Sequence, residues 1–567
     1  MRVLGIWDGH DAGAALVSGN KILSAINEER LTRRKLEVGF PSKSILSCLT
    51  MANLEPKDIG VIAITTSDLA KTITRIFPSL KERYYLLRRR QKTPKTIKQQ
   101  KAFKYKITEY GSNRLTKNIS KKIIRKHLNK LGFKDYKLYI VEHHDAHAAT
   151  AAFSAPFKKG VAVTLDGVGD GLSGSVNIFE NGIERVKSIS AKSSFGIFFE
   201  HVTNLMNMRE LEDEGKVMAI SNFAYGQKEN PMLSFFKIDG LDVKAKYNVM
   251  EMYKQLQKIL WSTPSEQFAY MAQSALEQWV VKYFQNVIDE TSMNNIAWSG
   301  GVASNIKVNR KIRLLPGLKK WFVFPHMGDG GLALGAAMFI NNKLTGTSNY
   351  TVKDTYFGLE YTDEEIESAL KNSEFSYQKE TNIEKHIGEL IAKGEIIFRF
   401  NGKMEFGPRA LGNRSILSSA TDESVKDALN LRIKKRVWYQ PFCPSMLESE
   451  AKTFFEDYKS NGNDIDRLMT MGYMTTPKFR DKLLSVINVD GSARPQMLVP
   501  KEKTNQSYEK ILKNVKKNTG LGIVLNTSLN IHGQPMVCSP RDAVQTLRDS
   551  NNKYMAIGNF FVKAGKK

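Results

Sequence analysis

Two histidines and an aspartate between residues 141 and 171 have the types and spacing of a transition-metal site. His143 and His147 are four residues apart, so on a helix they share one face and can present two imidazoles to one centre. Asp166 ends an apolar run and begins a glycine-rich turn, which predicts a carboxylate at the mouth of a strand, where ligands collect in α/β folds. A lone histidine would more often be a helix cap or a core residue, but this pair with a strand-end aspartate favours a metal site.

A second aspartate, Asp329, follows the apolar run Phe322–Phe324 and precedes the alanine-rich segment Leu332–Ala337, which predicts a helix. At such a strand-to-helix crossing its carboxylate could supply a fourth metal ligand or hold the magnesium of a nucleotide. Taken alone, this segment is also explained by a glycine turn with a helix-capping aspartate.

Two segments repeat one order of elements: strand, Asp-Gly turn, strand. The first copy consists of Val3–Trp7, Asp8–Gly13 and Ala14–Val17, and the second of Ala162–Leu165, Asp166–Gly171 and Ser173–Val176. A duplication of glycine-rich hairpins is the arrangement with which actin-like ATPases hold a nucleotide's phosphates from both sides. A further strand, Asn295–Trp298, enters a Gly-Gly turn at a predicted helix start, which could receive ribose or phosphate.

Length and composition indicate several domains. The chain has 567 residues and 41% hydrophobic content, too many for one core and sufficient for two or more. Its cysteines, Cys48, Cys443 and Cys538, are widely spaced, which argues against a disulfide framework or a zinc-thiolate site and suits a reducing compartment. No run of about eighteen apolar residues occurs, so we expect a soluble, cytoplasmic protein without a membrane segment.

Positive charge is concentrated in one segment. The chain has 84 Lys and Arg against 58 Asp and Glu, a formal net charge of +26. Residues 71–137 hold 22 Lys and Arg against 3 Asp and Glu, a net charge of +19. Aromatic residues are interspersed: Tyr84, Tyr85, Phe103, Tyr105 and Tyr110. This pattern is typical of phosphate contacts to nucleic acid, and a solvated lysine-rich helical insert is the alternative.

The second half of the chain has its own pattern. Residues 341–357 have turn composition, so we place a domain linker there. The next predicted elements are two helices and a strand, at Thr362–Lys371, Ile383–Lys393 and Glu395–Phe400. The strand leads into a loop with Arg409 and Arg414 beside Gly and Pro. Guanidinium groups in a rigid loop suit bidentate phosphate binding, whereas ordinary surface charge is the alternative.

Five motifs occur in a fixed order: Val-Glu-His-His-x-x-His-Ala-Ala at 141–149, Thr-Leu-Asp-Gly-x-Gly-Asp-Gly at 164–171, Gly-Lys-Val-Met-Ala at 215–219, Ser-Gly-Gly-Val-Ala-x-Asn at 299–305 and Gly-Asp-Gly-Gly at 328–331. With the opening Gly-x-x-Asp-Gly-His-Asp-Ala-x-Ala-Ala-Leu at 5–16, they resemble the NodU/tobramycin-type O-carbamoyltransferases. The resemblance implies an α/β fold class whose first domain is a duplicated actin-like ATPase, similar to the tRNA threonylcarbamoyltransferase fold. We expect that domain at 1–345, with the basic insert at 71–137.

The C-terminal half resembles the α/β YrdC-like domain of the same family, which we expect at 358–567. The resemblance rests on Gly-Pro-Arg-Ala-Leu-Gly-Asn-Arg-Ser at 407–415 and Asn-Thr-Ser-x-Asn at 526–530. Where the family usually reads Arg-Glu-x-x-Arg-Pro-Phe-Ala-Pro, this chain has Val437 and Gln440 in place of the acid and the second arginine. One expected phosphate contact is therefore changed, and the first half-reaction could be slower or use Lys435 instead.

The resemblance assigns site residues motif by motif. The implied ligands of iron(II), or of another divalent metal, are His143, His147, Asp166 and Asp329. The implied nucleotide contacts are Lys216, Gly300, Gly301 and Asn305. The implied catalytic residues, with His10 on the acceptor side of the reaction centre, are His10 and Asp11. The implied phosphate clamp for carbamoyl phosphate is Arg409, Arg414, Lys434, Arg436 and Arg494. The candidate contacts to carbamate or nucleotide are Ser528 and Asn530.

The function that the resemblance implies is ATP-dependent O-carbamoyl transfer with Mg²⁺-bound ATP. Carbamoyl phosphate would break down in the second domain, the carbamate would form carbamoyl-adenylate, and the first domain would pass the carbamoyl group to a hydroxyl. The basic insert favours an acceptor in DNA or RNA, with a hydroxymethylated base as the candidate, and a sugar or natural-product hydroxyl is the alternative.

Three rival functions stay open at this point: a threonylcarbamoyl-tRNA synthase that uses bicarbonate and threonine, an actin-like sugar kinase that releases ADP, and a non-enzymatic nucleic-acid-binding protein. The sequence does not determine the oligomeric state.

Overall fold

The computed structural model describes residues 1–90, 105–224, 229–350, 352–458 and 467–566. They fall into two units: unit 1 comprises residues 1–28 and 36–352, and unit 2 comprises residues 29–35 and 353–567. The short segment 29–35 thus belongs to unit 2, which no local pattern in the sequence indicated. Within the described ranges, no helix has the length and apolar character needed to cross a membrane.

Unit 1 contains two five-stranded sheets. The first has the order β3-β2-β1-β4-β5, with β1 (Arg2–Trp7), β2 (Gly13–Ser18), β3 (Lys21–Asn27), β4 (Val61–Thr65) and β5 (Lys137–Val141). Strands β1 to β3 form an antiparallel meander, whereas β4 and β5 run parallel to β1. All residues of β4 are buried, as expected for a β-branched strand covered on both faces.

The second sheet repeats this topology. Its order is β12-β11-β6-β7-β8, with β6 (Gly160–Gly169), β7 (Leu172–Phe179), β8 (Ile183–Ser190), β11 (Asn295–Ser299) and β12 (Lys320–Val323). The predicted duplication, and with it the actin-like fold of this half, is confirmed. Strand β6 extends beyond the predicted Leu165, because its pairing with β7 shifts register between Leu165 and Gly169. Asp166 lies in this irregular stretch, where the strand departs from regular pairing.

Helices cover these sheets. In unit 1 they are Ser42–Met51, Leu69–Ile76, Pro78–Arg88, Arg114–Lys130, His143–Ser154, Phe195–Leu205, Glu214–Ile220, Val249–Trp261, Ser265–Thr291, Ile306–Arg313 and Leu332–Thr345. The helix Glu28–Thr32 passes from unit 1 into the segment of unit 2. A small hairpin pairs β9 (Phe236–Asp239) with β10 (Asp242–Ala245).

Unit 2 is built on an eight-stranded mixed sheet of order β13-β22-β21-β14-β15-β20-β16-β19. Its strands are β13 (Phe375–Lys379), β14 (Ile397–Phe400), β15 (Arg414–Ser419), β16 (Cys443–Leu447), β19 (Gln496–Leu498), β20 (Ile523–Ser528), β21 (Tyr554–Ile557) and β22 (Phe560–Lys566). A separate pair joins β17 (Tyr473–Met474) to β18 (Ser492–Ala493). This sheet and its covering helices give the second half of the chain the expected α/β class.

The helices of unit 2 are Asp363–Lys371, Ile383–Ala392, Glu423–Ala428, Ala451–Phe454, Pro477–Arg480, Gln506–Thr519 and Pro540–Ser550. The first begins where the sequence predicts, because Thr362 and Glu365 form a reciprocal capping box. Ile387 and Ile511, from two of these helices, are fully buried in a cluster with Val524 of β20. This core fixes the strand that carries Ser528.

Candidate functional site

Four side chains in unit 1 converge on one point. The candidate ligand atoms of His143, His147, Asp166 and Asp329 all lie within 4.8 Å of one another. The Nε2 of His143 is 3.1 Å from Asp166 Oδ2 and 3.6 Å from Asp329 Oδ1. The Nε2 of His147 is 3.7 Å and 3.5 Å from the same two oxygens. Two imidazoles and two carboxylates at these separations form a donor set that suits a divalent transition metal.

Hydrogen bonds fix the tautomer of His147. Ser299 Oγ donates to the carbonyl of Met327 at 3.1 Å, so it can only accept from the His147 Nδ1–H, which is 3.1 Å away. In the neutral ring the Nε2 then carries a lone pair that faces the carboxylates, and this buried atom has no hydrogen-bond partner. A buried acceptor without a donor is costly unless a ligand satisfies it. The residues present therefore fit a metal ion.

The electrostatics of the cluster also favour a cation. Burial lowers the pKa of His143, but Asp329 and Asp166 more than reverse this and raise that pKa to about 9. Burial likewise lowers the pKa of His147, and Asp166 and Asp329 raise it above its ordinary value. The two carboxylates thus attract positive charge, which protons supply when no metal is bound and a divalent ion supplies when it displaces them.

Glycine at position 300 allows β6 and the turn after β11 to approach each other. Gly300 has φ +102°, and a Cβ there would lie 2.2 Å from the carbonyl oxygen of Leu165. The next residue, Gly301, donates its N–H to Asp166 Oδ1 at 2.7 Å. Both predicted nucleotide-contact glycines therefore lie beside the metal cluster, where they also orient one of its carboxylates.

The predicted catalytic residue His10 lies at the edge of the cluster. Its Nε2 is 3.4 Å from Asp329 Oδ2, and a third of its side chain is exposed. Burial of the imidazole, opposed by Asp329, lowers the pKa of His10 to about 4. Asp11, with φ +54°, has a carboxylate oxygen 3.8 Å from the Nε2 of His326. Sequence reasoning missed His326 and Ser299, because neither belongs to a recognisable ligand pattern.

Two predicted nucleotide contacts have protein partners. Lys216 Nζ pairs with Asp213 Oδ1 at 2.8 Å. Asn305 caps the helix Ile306–Arg313 and exchanges two amide hydrogen bonds with Gln273, at 2.9 and 3.1 Å. Its side chain is therefore engaged in holding the helix start in place.

In unit 2, three of the predicted clamp arginines gather around one thiol. Arg494 donates to Cys443 Sγ through Nε at 3.2 Å and Nη2 at 3.0 Å. Burial lowers the pKa of Arg409 and of Arg436 to about 9, and the charge of Arg494 adds to the effect in each. Among the described residues, no carboxylate pairs with any of the three, so the cluster has uncompensated positive charge suited to a phosphate dianion.

Lys434, Ser528 and Asn530 form a second group in unit 2. Lys434 Nζ donates to Asn530 Oδ1 at 2.7 Å and to Ser528 Oγ at 3.3 Å. Burial, and then the charges of Arg436 and Lys35, hold the pKa of Lys434 well below its ordinary value. Lys35 comes from the segment 29–35, so this group of cations includes a residue that the sequence analysis did not assign to it.

Arg414 is placed differently from the other arginines. Its guanidinium donates to the carbonyls of Asn401, Gly402, Asn413 and Leu359 at 2.8 to 3.2 Å, and it lies 3.6 Å over the ring of Phe400. The residue is fully buried. These contacts hold the loop together and engage the guanidinium within the protein.

The two departures from the family pattern lie beside the arginine cluster. The carbonyl of Gln440 accepts from Asn430 Nδ2 and Arg436 Nη2, both at 3.4 Å, while its own Oε1 is buried without a partner. Val437 carries no polar group. Lys435, the suggested replacement, is exposed.

Some basic and aromatic residues of the described insert face the protein. Arg88 and Arg89 approach Glu210 and Glu212, and Tyr105 is buried and donates to Glu200 at 2.9 Å. Arg88, Arg89 and Tyr105 therefore face acidic partners far along the chain, so the predicted phosphate contacts are left to the exposed cations of the insert. Phe103 and the rest of 91–104 lie outside the described residues.

Family comparisons cover both units. The family model described as Carbamoyltransferase N-terminus matches residues 2–338, and that described as Carbamoyltransferase C-terminus matches residues 388–564. The chain belongs to the carbamoyltransferase family. The predicted resemblance is confirmed, and the protein is an enzyme of carbamoyl transfer.

Relatives of this carbamoyltransferase span most of its length. An uncharacterized protein of Methanocaldococcus jannaschii is 35% identical over 80% of this chain and 78% of its own. Nodulation protein NolNO of Sinorhizobium fredii is 27% identical over 98% of this chain and 79% of its own. A solved structure of full-length HypF in its phosphate- and nucleotide-bound form is 12% identical with a TM-score of 0.36, covering 61% of the carbamoyltransferase and 56% of HypF.

Proposed function

We propose that the enzyme is an ATP-dependent O-carbamoyltransferase that uses carbamoyl phosphate and forms carbamoyl-adenylate. The observation that carries this proposal is the presence of two opposite kinds of site in one chain. In the described part of unit 2, Arg409, Arg436 and Arg494 gather without carboxylate partners, which suits a phosphate dianion. Unit 1 gathers two histidines with two carboxylates, which suits a divalent cation. On this proposal residues 358–567 perform the first half-reaction and residues 1–345 the second.

In the first half-reaction Arg409, Arg436 and Arg494 hold the phosphate of carbamoyl phosphate. Water breaks the bond between the carbamoyl group and phosphate, which gives carbamate and inorganic phosphate. A carbamate oxygen then attacks the α-phosphorus of Mg²⁺-bound ATP, forms carbamoyl-adenylate and displaces pyrophosphate. Ser528 and Asn530, held by Lys434, lie at the end of β20, where they can donate to and accept from the carbamate amide.

In the second half-reaction the acceptor hydroxyl attacks the carbamoyl carbon. The bond from that carbon to the AMP phosphate breaks, AMP leaves with the electron pair, and His10 takes the hydroxyl proton. His10 is suited to this role by its position, because it borders Asp329 and is part-exposed. Iron(II), held by His143, His147, Asp166 and Asp329, would supply Lewis-acid polarisation of the carbonyl.

The test is exchange of labelled pyrophosphate into ATP without any acceptor. We expect exchange that requires carbamoyl phosphate, and AMP as the nucleotide released when a hydroxyl acceptor is present. Exchange that instead requires bicarbonate and threonine would replace this proposal with threonylcarbamoyl-adenylate formation. Release of ADP with a phosphorylated product would replace it with sugar kinase activity.

A hydroxyl of nucleic acid is a second candidate acceptor beside small-molecule alcohols. The observation that favours it is the helix Arg114–Lys130, on which Arg114, Lys117, Lys122, Arg125, Lys126 and Lys130 are exposed. Exposed cations on one helix can contact successive phosphates of a strand. A hydroxymethylated base would have to be single-stranded or flipped out to react.

A further inference from the structure

Three cations from the insert surround one buried carboxylate next to the metal cluster. Lys71 Nζ lies 2.8 Å from Asp8 Oδ1, and Arg75 Nε lies 2.8 Å from Asp8 Oδ2. Lys81 Nζ donates to the backbone carbonyl of Asp8. Lys71 and Arg75 are 8% exposed and Asp8 is 3% exposed, so these charges are largely removed from water.

The charges around Asp8 do not balance. Asp8 offers one carboxylate to three cations, and Arg75 is fully engaged because it also donates to the carbonyls of Thr65 and Thr66. Within the described part of the chain, Lys81 has no carboxylate partner. Burial and then the charge of Lys71 hold the pKa of Lys81 well below its ordinary value. Asp68, whose side chain caps the helix Leu69–Ile76, is the other acid near Lys71.

Trp7 connects this group to the metal cluster. Lys71 Nζ lies 4.1 Å from the centre of the Trp7 ring. The same ring meets His143 edge-on at 5.8 Å and His10 at 6.4 Å between centroids. The Trp7 Nε1–H donates to the carbonyl of His10 at 2.7 Å. The cations therefore lie one side chain away from a candidate metal ligand, on the side of the part-exposed His10.

We propose that Lys71 and Lys81 form an anion subsite beside the reaction centre that binds a phosphate group of the acceptor. The acceptor of carbamoyl transfer is then a hydroxyl compound that carries a phosphate close to the reacting hydroxyl. This inference rests on the proposed function, since it names the substrate class of the second half-reaction.

The chemistry of the subsite selects a compact anion. Two ammonium groups held near each other can share one phosphate, whose oxygens accept several charge-assisted hydrogen bonds. Asp8, which already binds Lys71 and Arg75, fixes the positions of the cations before the ligand arrives, and this lowers the cost of ordering them. A neutral acceptor would leave the part-buried Lys81 beside a second positive charge without compensation.

The experiment compares matched acceptors on the full chain loaded with iron(II). The pairs are glycerol with glycerol 3-phosphate, glucose with glucose 6-phosphate, and thymidine with thymidine 5′-monophosphate, and a single-stranded thymidine oligonucleotide represents phosphodiesters. Mass spectrometry detects the carbamoylated product. We expect product from phosphorylated members and little from their partners. Reaction of the oligonucleotide in preference to the monophosphates would assign the phosphate to a nucleic acid.

The variant Lys81→Met tests whether Lys81 binds the phosphate of the acceptor. It should raise the KM for the phosphorylated acceptor by about 10- to 100-fold, the loss expected from one charge-assisted hydrogen bond, and leave acceptor-independent pyrophosphate exchange unchanged. Lys81→Arg should restore most of the affinity. Arg83→Met, on the exposed face of the same helix, is the matched control, and thermal unfolding of each variant monitors folding.

Three outcomes would overturn the inference. Equal reaction of both members of each pair, or no product from any phosphate ester, would remove the phosphate requirement. If Lys81→Met changes the KM for ATP and leaves the KM for the acceptor unchanged, the cations bind the nucleotide instead of the acceptor. In each case, intact pyrophosphate exchange by the unchanged protein would leave the proposed function standing, whereas absence of that exchange would overturn both.

Discussion

His147 presents its Nε2 lone pair to the metal cluster because Ser299 accepts a hydrogen bond from its Nδ1–H. His147→Ala removes one of four donors and leaves a distorted set, so we expect iron(II) affinity and carbamoyl transfer to fall by more than about 100-fold. Ser299→Ala keeps every ligand but frees the ring, and we expect a loss of about 10- to 100-fold. Elemental analysis and product mass spectrometry measure the two effects.

The control for these variants is the first half-reaction. Pyrophosphate exchange should stay at the level of the unchanged protein in both, since the residues that we assign to it lie in unit 2. Unaltered iron content together with near-normal transfer in His147→Ala would contradict the assignment of the four ligands.

Arg409 and Arg414 are five positions apart, yet their surroundings differ. Both have a buried Nε without a hydrogen-bond partner, but the other guanidinium nitrogens of Arg414 donate to four backbone carbonyls. We expect Arg409→Ala to weaken carbamoyl phosphate binding by about 2 kcal/mol, since it removes a charge-assisted contact. The KM for carbamoyl phosphate in the exchange assay measures this.

Synthetic carbamoyl-adenylate distinguishes a defect in the first half-reaction from a defect in the second. Arg409→Ala should still consume it at the normal rate, and failure to do so would place the arginine outside the first half-reaction. Arg414→Ala serves as the contrast, because it should lower the melting temperature more than Arg409→Ala does.

At the scale of the element, the metal cluster depends on two packed helices. His143–Ser154 carries the histidines, and Leu332–Thr345 begins three residues after Asp329. They touch at Gly335, where a Cβ would lie 2.0 Å from the carbonyl oxygen of Ala146. Because a carbonyl of helix backbone cannot yield locally, any side chain at this position must push the helices apart.

Gly335→Ala should therefore reduce both stability and metal affinity. We expect a loss of about 1–3 kcal/mol in the free energy of unfolding, the usual cost of overpacking, and weaker iron(II) binding because Asp329 moves relative to the histidines. Denaturant titration and metal titration measure the two effects. Gly60→Ala is the matched control, since its added Cβ meets nothing within 4 Å. Equal losses of stability and of iron(II) affinity in the two variants would contradict the role of the close contact at Gly335.

At the scale of the whole molecule, the cations behind the net charge of +26 fall into a buried group and an exposed group. Cations such as Arg75 and Arg89 are buried beside acids, whereas those of Arg114–Lys130 are exposed. Reversing Lys122, Arg125 and Lys126 to glutamate should weaken binding to single-stranded oligonucleotides. The slope of log K against log salt should become shallower by about 2, at roughly 0.7 per lost phosphate contact.

Reversal of Lys237, Lys244 and Lys254, three exposed lysines elsewhere in unit 1, makes the same change in net charge. If this control lowers the affinity and the slope equally, the binding reflects total charge and the helix has no specific role. Pyrophosphate exchange should be unaffected in both variants.

Sequence alone determined the features that depend on local periodicity and on ordered motifs. The repeated strand-turn-strand pattern predicted the duplicated sheets, and the capping residues at Thr362 predicted the helix that follows them. The spacing of His143 and His147 placed both imidazoles on one helix face, and the motif order identified the family. Each of these follows from backbone geometry over a few residues or from the order of the motifs along the chain.

Only the tertiary structure decided which charges meet. Lys71 and Arg75 approach Asp8 from more than sixty positions away. Ser299, at the end of β11, orients His147 on its helix, and Arg414 turns into its own loop while Arg409 does not. A charged residue has the same identity in the sequence whether it faces water, a carbonyl or a carboxylate. Its role depends on desolvation and on partners that the chain brings close only when it folds.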